Sequence, residues 1–278
     1  MTNKVAWLED RGVVRVAGED ASSFLQGLLT NDVERLKAGE ARYAALLSPQ
    51  GKILFDMLVV RMPAENGAAY LIDCSAAQAA DLAKRLGFYK LRAKVVVADE
   101  SADHGVVAGW GGEPENAMGG VVYRDPRAPL GWRAILPRAK AAAVGAGHVH
   151  EYDGLRIAFA VPKGGVDFAY GDVFPQDANL DSLNGVDFDK GCYVGQEVVS
   201  RMKHRGTARK RVARVRIGAD APPPGTPVRD GQLTIGTLGS SSGREALAML
   251  RLDRVEDAKV AGRGLSAGGV AVTVADPA

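Results

Sequence analysis

The chain has 278 residues, 46% of them apolar, with 35 Lys and Arg against 33 Asp and Glu and only two cysteines. That length allows one large core or two to three small ones. Cys74 and Cys192, 118 positions apart, form no CxxC pair and no disulfide framework, and cannot alone house a thiolate metal centre, which takes about four ligands.

In chain order, VVRVAG (13–18) reads as a strand, and EDASSFLQGLLTNDV then sets Phe24, Leu25, Leu28 and Leu29 on one helical face. YAALLSPQGKILFDMLVVRM is two apolar runs around Ser48-Pro49-Gln50-Gly51, the punctuation of a hairpin. After AYLID, Ser75 and Gln78 make a capping-box pattern at the head of a helix that Gly87 should stop, and RAKVVVAD returns as a strand. The order β-α-β-β-(β)-α-β is that of a split βαβ, ferredoxin-like unit with an added strand. GVVAGW, GVVYR, GWRAILP and an Ala-rich helix suggest a second α+β lobe, and EYDGLRIAFAVP a helix ending at Pro162. The turn-rich stretch from Lys163 to Gly191 is long for a structureless loop; with Phe168, Tyr170, Phe174 and Phe188 inside it, it reads as an ordered loop lining a site. From Val212, short alternating strands between Gly and Pro turns read as a small all-β barrel or sandwich. The boundary falls near Ala208, giving an α+β domain over 1–208 and a β-barrel domain over 209–278.

No run reaches the roughly 18 apolar residues of a membrane span, so no membrane partner is expected. The opening MTNKVAWLEDRGVVRV lacks a signal core and the acid-poor make-up of a transit leader, so the expected compartment is a bacterial cytoplasm. Charge is uneven. Arg201, Lys203, Arg205, Arg209, Lys210, Arg211, Arg214 and Arg216 carry eight cations with no acid between them, on a chain whose net charge is only +2. Such a run either attracts an anion or is a solvated strand edge kept from aggregating.

Candidate chemistry gathers just before that run, in FDKGCYVGQEVVSRMKHRG. Val198, Val199 and Met202 have helical spacing, which puts Cys192 just before or in the first turn of a short helix. There, with Lys190 and Arg201 near, a thiol would ionise readily. The alternative is a small residue behind a tight turn, although Gly191 and Gly195 suggest a close backbone approach. Gln196 and Glu197 are either first-turn contacts or ligand-holding groups. Cys74, at a strand end, reads as buried. Asp56, in the apolar strand ILFDMLVV, must be paired, at an edge, or shifted in pKa.

KGCYVGQE (190–197), with FPQDANLD before it and SRMKHRGTARKR after it, resembles the signature of the YgfZ-type folate-binding proteins, whose mitochondrial relatives serve iron–sulfur cluster maturation. FLQGLLTNDV and LLSPQGKILFD match the same family and, more loosely, the glycine-cleavage aminomethyltransferase. The resemblance covers most of the chain. It implies two ferredoxin-like α+β lobes plus a C-terminal β-barrel in a cloverleaf around a central channel, with tetrahydrofolate, possibly polyglutamylated, as cofactor. It places Cys192, Lys190 and Asp56 in the chemistry and Asn31, Asp56, Tyr193, Gln196, Glu197, Arg201, Lys203 and Arg205 around the folate, the three basic residues meeting its glutamate tail. The chain departs from the aminomethyltransferase where Phe55-Asp56 replaces an Asp pair and APLGWR (128–133) lacks the pterin-holding acid. The implied function is therefore assistance to assembly or repair of clusters, mainly four-iron, four-sulfur ones, with client or assembly proteins as partners. The alternative is a folate-dependent aminomethyl transferase. Direct RNA binding in aid of tRNA modification is a third reading, weakened by the few aromatics in the basic run.

Overall fold

The computed structural model describes residues 3–64, 67–114, 119–205 and 209–275. Strands β1 (Lys4–Leu8) and β2 (Arg11–Gly18) lead into a short helix α1 (Ala21–Gln26), the hairpin β3 (Ala41–Leu47) and β4 (Ile53–Met62), and β5 (Ala68–Ser75). Helix α2 (Ala79–Tyr89) and β6 (Val96–Asp99) complete a five-stranded antiparallel sheet of order β3-β4-β5-β2-β6. β7 (His104–Trp110), β8 (Val121–Arg124) and β9 (Trp132–Pro137) form a second sheet, of order β1-β7-β9-β8, with α3 (Arg138–Val144) and α4 (Val149–Ala158) following. The opening strand thus joins the second sheet, pairing Lys4–Leu8 antiparallel to β7.

The apolar runs of β2, β4 and β5 are nearly unbroken because the first sheet is covered on both faces. Successive side chains point to opposite faces. Val14, Val16, Met57, Val59, Tyr70, Ile72 and Cys74 meet Leu25 of α1 and Leu82 and Leu86 of α2. Val13, Leu58, Val60 and Leu71 instead meet Val106, Ala108, Tyr123 and Ile135 of the second sheet. Each fully buried aliphatic side chain here contributes roughly 1.5–3 kcal/mol. The long segment after α4 is ordered, with Phe168, Val173, Ala178, Leu180, Leu183 and Val186 packed into that inter-sheet core.

Helix α5 (Gln196–Arg205) precedes a closed six-strand barrel of β10 (Lys210–Ile217), β11 (Pro227–Asp230), β12 (Leu233–Ser242), β13 (Glu245–Arg251), β14 (Leu265–Ala267) and β15 (Val270–Val274), ordered β10-β13-β12-β11-β14-β15. Val215, Ile217, Val228, Ile235, Leu238 and Leu250 fill it. A register shift in β12 between Leu238 and Ser241 turns the Ser240 N–H onto Asp167 Oδ1 at 2.6 Å, and Arg156 of α4 bonds both Asp167 (3.0 Å) and Ser240 Oγ (2.6 Å). This bulge locks the barrel to the α+β part.

Several expectations are corrected. α1 stops at Gln26, so Leu28 and Leu29 lie beyond it; Leu29 leaves the helix to form a bridge with Leu46. Ser75 makes no side-chain cap, because Ala76–Gln78 form a separate 3-10 turn ahead of α2. α2 runs through Gly87 to Tyr89, and Leu91 takes the left-handed turn, at φ +42°, that the sequence assigned to glycine. Neither β1 nor helix α6 (Leu252–Val260), between β13 and β14, was expected. The boundary near Ala208 falls at 206–208, outside the described residues.

Candidate functional site

Cys192 is exposed, in an extended loop four positions ahead of α5 rather than in its first turn. Two neighbours hold the loop rigid. Lys190 was expected beside the thiol as an activating charge. Instead its ammonium is buried and donates to the main-chain carbonyls of Gln26 (2.7 Å), Leu29 (2.6 Å) and Asn31 (2.9 Å), its backbone N–H bonding Asp187 Oδ1. Burial pulls it down to about 8, against Asp32, Asp187 and Glu34, which favour the charge. Lys190 is therefore a clamp between the loop and the turn after α1. Downstream, Gly195 at φ +81° presses on the β3–β4 hairpin; a Cβ there would stand 2.6 Å from Ser48 O and 3.1 Å from Gly51 Cα. Only glycine fits that approach. Nothing lies within 4 Å of a Cβ at Gly191, so the tight approach expected on that side is absent. Tyr193, between the clamps, is buried, its phenol raised to about 12 chiefly by burial.

The other expected residues divide. Gln196 opens α5 and accepts a long hydrogen bond from the Tyr193 N–H (3.4 Å). Glu197, in the first turn of α5, is exposed and pairs along the helix with Arg201 at 3.5 Å. Asn31 is buried and saturated: its amide donates to Tyr43 O and Asn184 O, and its Oδ1 accepts from Asp32 N–H. Lys203 stacks on Phe188 at 3.8 Å, and with Asn31, Arg42, Asn184 and Asp189 lines an open polar cavity of about 450 Å³. The side chain of Arg205 lies outside the described residues. The basic run is not one stripe, since it crosses from α5 to β10, and Arg211 pairs with Asp181, Arg216 with Glu245, and Arg214 with Ala158 O.

Asp56 is buried on β4, facing the junction of the two sheets, where its carboxylate accepts from Tyr170 OH (2.6 Å) and Tyr43 OH (3.1 Å). Burial, then the Asp56 charge, raises both phenols far above their ordinary value. Beside it sits a charge network that the sequence reading missed. Asp73 accepts from Arg11 (2.5 Å), Arg133 (2.6 Å) and Tyr123 OH (2.9 Å); Asp125 accepts from Arg127 (2.7 Å) and Arg133 (3.2 Å). Burial opposes ionisation of both acids, but the guanidiniums outweigh it and hold both carboxyls below their usual range. The signal was available: Asp73 in AYLIDC and Arg133 in GWRAILP are lone charges in apolar strands, the pattern that marked Asp56. The cavity shared by Asp56, Arg11, Arg127 and Arg133 is about 40 Å³. It has room for two or three waters.

A pterin ring does not fit beside Asp56, since ligand sites of that size run to several hundred cubic ångströms. A larger apolar cavity, about 660 Å³, lies on the other side of Arg127 against Pro129, Phe159, Leu183 and the barrel's Arg214. Cys74 is buried under α2, its thiol pushed up to about 12 chiefly by burial, as its reading required.

Residues 8–128 match the family described as the GCVT N-terminal domain, and residues 209–278 match the CAF17 C-terminal β-barrel domain. The iron-sulfur cluster assembly factor IBA57 homolog, mitochondrial, of Mycosarcoma maydis is 35% identical over 245 residues, covering 82% of this chain and 61% of that protein. IBA57 of Mus musculus and of Homo sapiens are each 31% identical, covering 91% and 92% of this chain and 80% of each relative. Among solved structures, the glycine cleavage system aminomethyltransferase T from Bartonella henselae superposes with a TM-score of 0.77 at 19% identity, over 99% of this chain and 86% of that one, a likeness of fold alone. The relatives are named mitochondrial, which overturns the cytoplasmic expectation.

Proposed function

The chain belongs to the family of the iron-sulfur cluster assembly factor IBA57, related to but distinct from the YgfZ-type proteins that its cysteine motif resembles, and on that premise we propose that it assists assembly or repair of iron–sulfur clusters, mainly four-iron, four-sulfur ones, on client or assembly proteins. Cys192 is the contact group. Its thiolate takes one iron of the substrate cluster as the donor's ligand leaves, and yields that iron to a client thiolate in the next exchange. One iron–sulfur bond forms as another breaks at each step, with no change in electron count, and the proton that the entering thiol gives up is balanced by the one that the departing thiolate takes up.

The observation that carries this reading is the exposure of Cys192 on a loop fixed at both ends, by Lys190 on three carbonyls and by Gly195 on the hairpin. A fixed loop presents the sulfur at low entropic cost on docking. One thiol cannot hold a cluster, so the role is that of a transient ligand.

Tetrahydrofolate as cofactor gains no support at Asp56, whose carboxylate is enclosed by two phenols in a space too small for a pterin. The same enclosure disfavours aminomethyl transfer, which requires a carboxylate open to the folate amine. The RNA reading is disfavoured by the pairing of Arg211, Arg214 and Arg216. The test is anaerobic transfer of a four-iron, four-sulfur cluster to an apo-dehydratase with the parent chain and the Cys192→Ser variant. Loss of stimulation by the variant, with unchanged folding, is the expected result, whereas equal stimulation removes Cys192 from the mechanism.

A further inference from the structure

The far end of the first lobe has a surface that the preceding reading leaves without a role. α2 buries Leu82 and Leu86 and turns Lys84, Arg85 and Phe88 outward; the chain then rounds Leu91 into β6. β6 ends the sheet, hydrogen-bonded on one side to β2 and, among the described residues, open on the other. Phe88 is 67% exposed, Leu91 90% and Val96 61%. Around them stand Lys84, Arg85, Lys90, Arg92 and Lys94 with no acid between 84 and 94. Of these, only Lys94 makes an ion pair among the described residues, with Glu19. Leu91 holds a left-handed backbone that leucine rarely adopts.

We propose that this edge binds an acidic, apolar segment of a partner protein, laid beside β6 as a further strand with its apolar side chains toward the end of α2, where Phe88 and Leu91 stand exposed. Two large apolar side chains exposed three residues apart at the end of α2, Phe88 and Leu91, mark an interaction site rather than ordinary scatter. The open edge supplies main-chain donors and acceptors, and the adjacent side chains supply specificity, as in strand addition. Charge selects the occupant. Five cations repel a second copy of this same edge and attract carboxylates. A lipid surface would also meet the cations, but it would strip water from the unpaired N–H and C=O groups of β6 without replacing their hydrogen bonds. A peptide strand replaces them.

The test uses the full isotope-labelled chain titrated with a synthetic heptapeptide alternating Glu and Val, with the Lys-for-Glu peptide and phosphatidylglycerol vesicles in parallel arms. The acidic peptide should give saturable amide shifts at residues 88–99 and the basic peptide none. Leu91→Gly keeps the turn, since glycine adopts its φ freely, and should weaken binding at least about tenfold. Arg92→Glu should do the same, and added salt should weaken the parent. No shifts at 88–99, equal response to both peptides, or binding to vesicles but not to peptide would each overturn the proposal.

Discussion

Replacing Asp73 with Ala removes the one carboxylate shared by β2's Arg11 and β9's Arg133, the joint between the two sheets. Asp73 and Asp125 are essentially inaccessible, and the Arg133 side chain is 4% exposed. After the change Arg133 keeps Asp125 and Tyr152 OH, Arg11 keeps only the backbone carbonyl of residue 73, and Tyr123 OH loses its acceptor. Breaking a buried pair from one side costs about 3–5 kcal/mol, because the remaining charge stays desolvated. At about 2–4 °C per kcal/mol, the melting transition of the two sheets should fall by about 6–20 °C. Pairing Asp73→Leu with Arg133→Met removes both of these charges and should recover the part of the loss that belongs to Arg133, Arg11 staying unpaired, which a double-mutant cycle measures. The pH dependence has a definite sign. Both acids have depressed folded pKa values, so their contribution is present above the unfolded carboxylate value of about 3.9 and fades as pH falls through the folded values. The Asp73→Ala chain should therefore show a shallower acid limb below about pH 4. Single variants that melt within about 2 °C of the parent, or strictly additive losses, would refute this account of the joint.

Other outcomes follow from the same contacts. Lys190→Met keeps the stem but leaves the carbonyls of Leu29 and Asn31 without their donor; urea titration should show a loss of about 1–3 kcal/mol, and no loss would mean that the clamp is not structural. Gly195→Ala meets Ser48 O in a left-handed backbone. It should destabilise the loop by at least about 1 kcal/mol and lower cluster transfer, both tracked by amide exchange and the transfer assay. A thiol reagent at pH 8 should label one cysteine in the native chain, Cys192, and two in urea, since Cys74 is buried with its thiol near 12; mass spectrometry showing native labelling at Cys74 would contradict the packing under α2.

The sequence announced what periodicity and punctuation can encode. The Ser48–Gly51 turn and the strands on either side were legible because they are set by residues near in the chain, and the short strands of the C-terminal part by their Gly and Pro turns, whereas the closure of the barrel rests on pairings such as Val215 with Val274. β1 was not, since KVAWL pairs with residues 106–110, a partner that no local pattern reveals. The extent of α2 was misjudged because Gly87 is open on all sides and imposes nothing, while Leu91 carries the turn. In the site, the glycines flanking Cys192 suggested a close backbone approach, which holds at 195 but not at 191, and neither the exposure of Cys192 nor the direction of Lys190 could be read. Its ammonium crosses to carbonyls at 26–31, and the sequence shows only a cation two positions from a thiol. Asp56 raised the right question, and its answer lay in Tyr43 and Tyr170, one 13 and the other 114 positions away.

The most direct measurement is anaerobic cluster transfer to an apo-dehydratase with Cys192→Ser beside Lys190→Met, each checked for folding by near-ultraviolet circular dichroism. The account predicts that Cys192→Ser folds like the parent yet gives no stimulation of transfer, while Lys190→Met loses stimulation only in proportion to its lost stability. Full stimulation by a folded Cys192→Ser chain would contradict the central claim that this thiol is the group that meets the cluster.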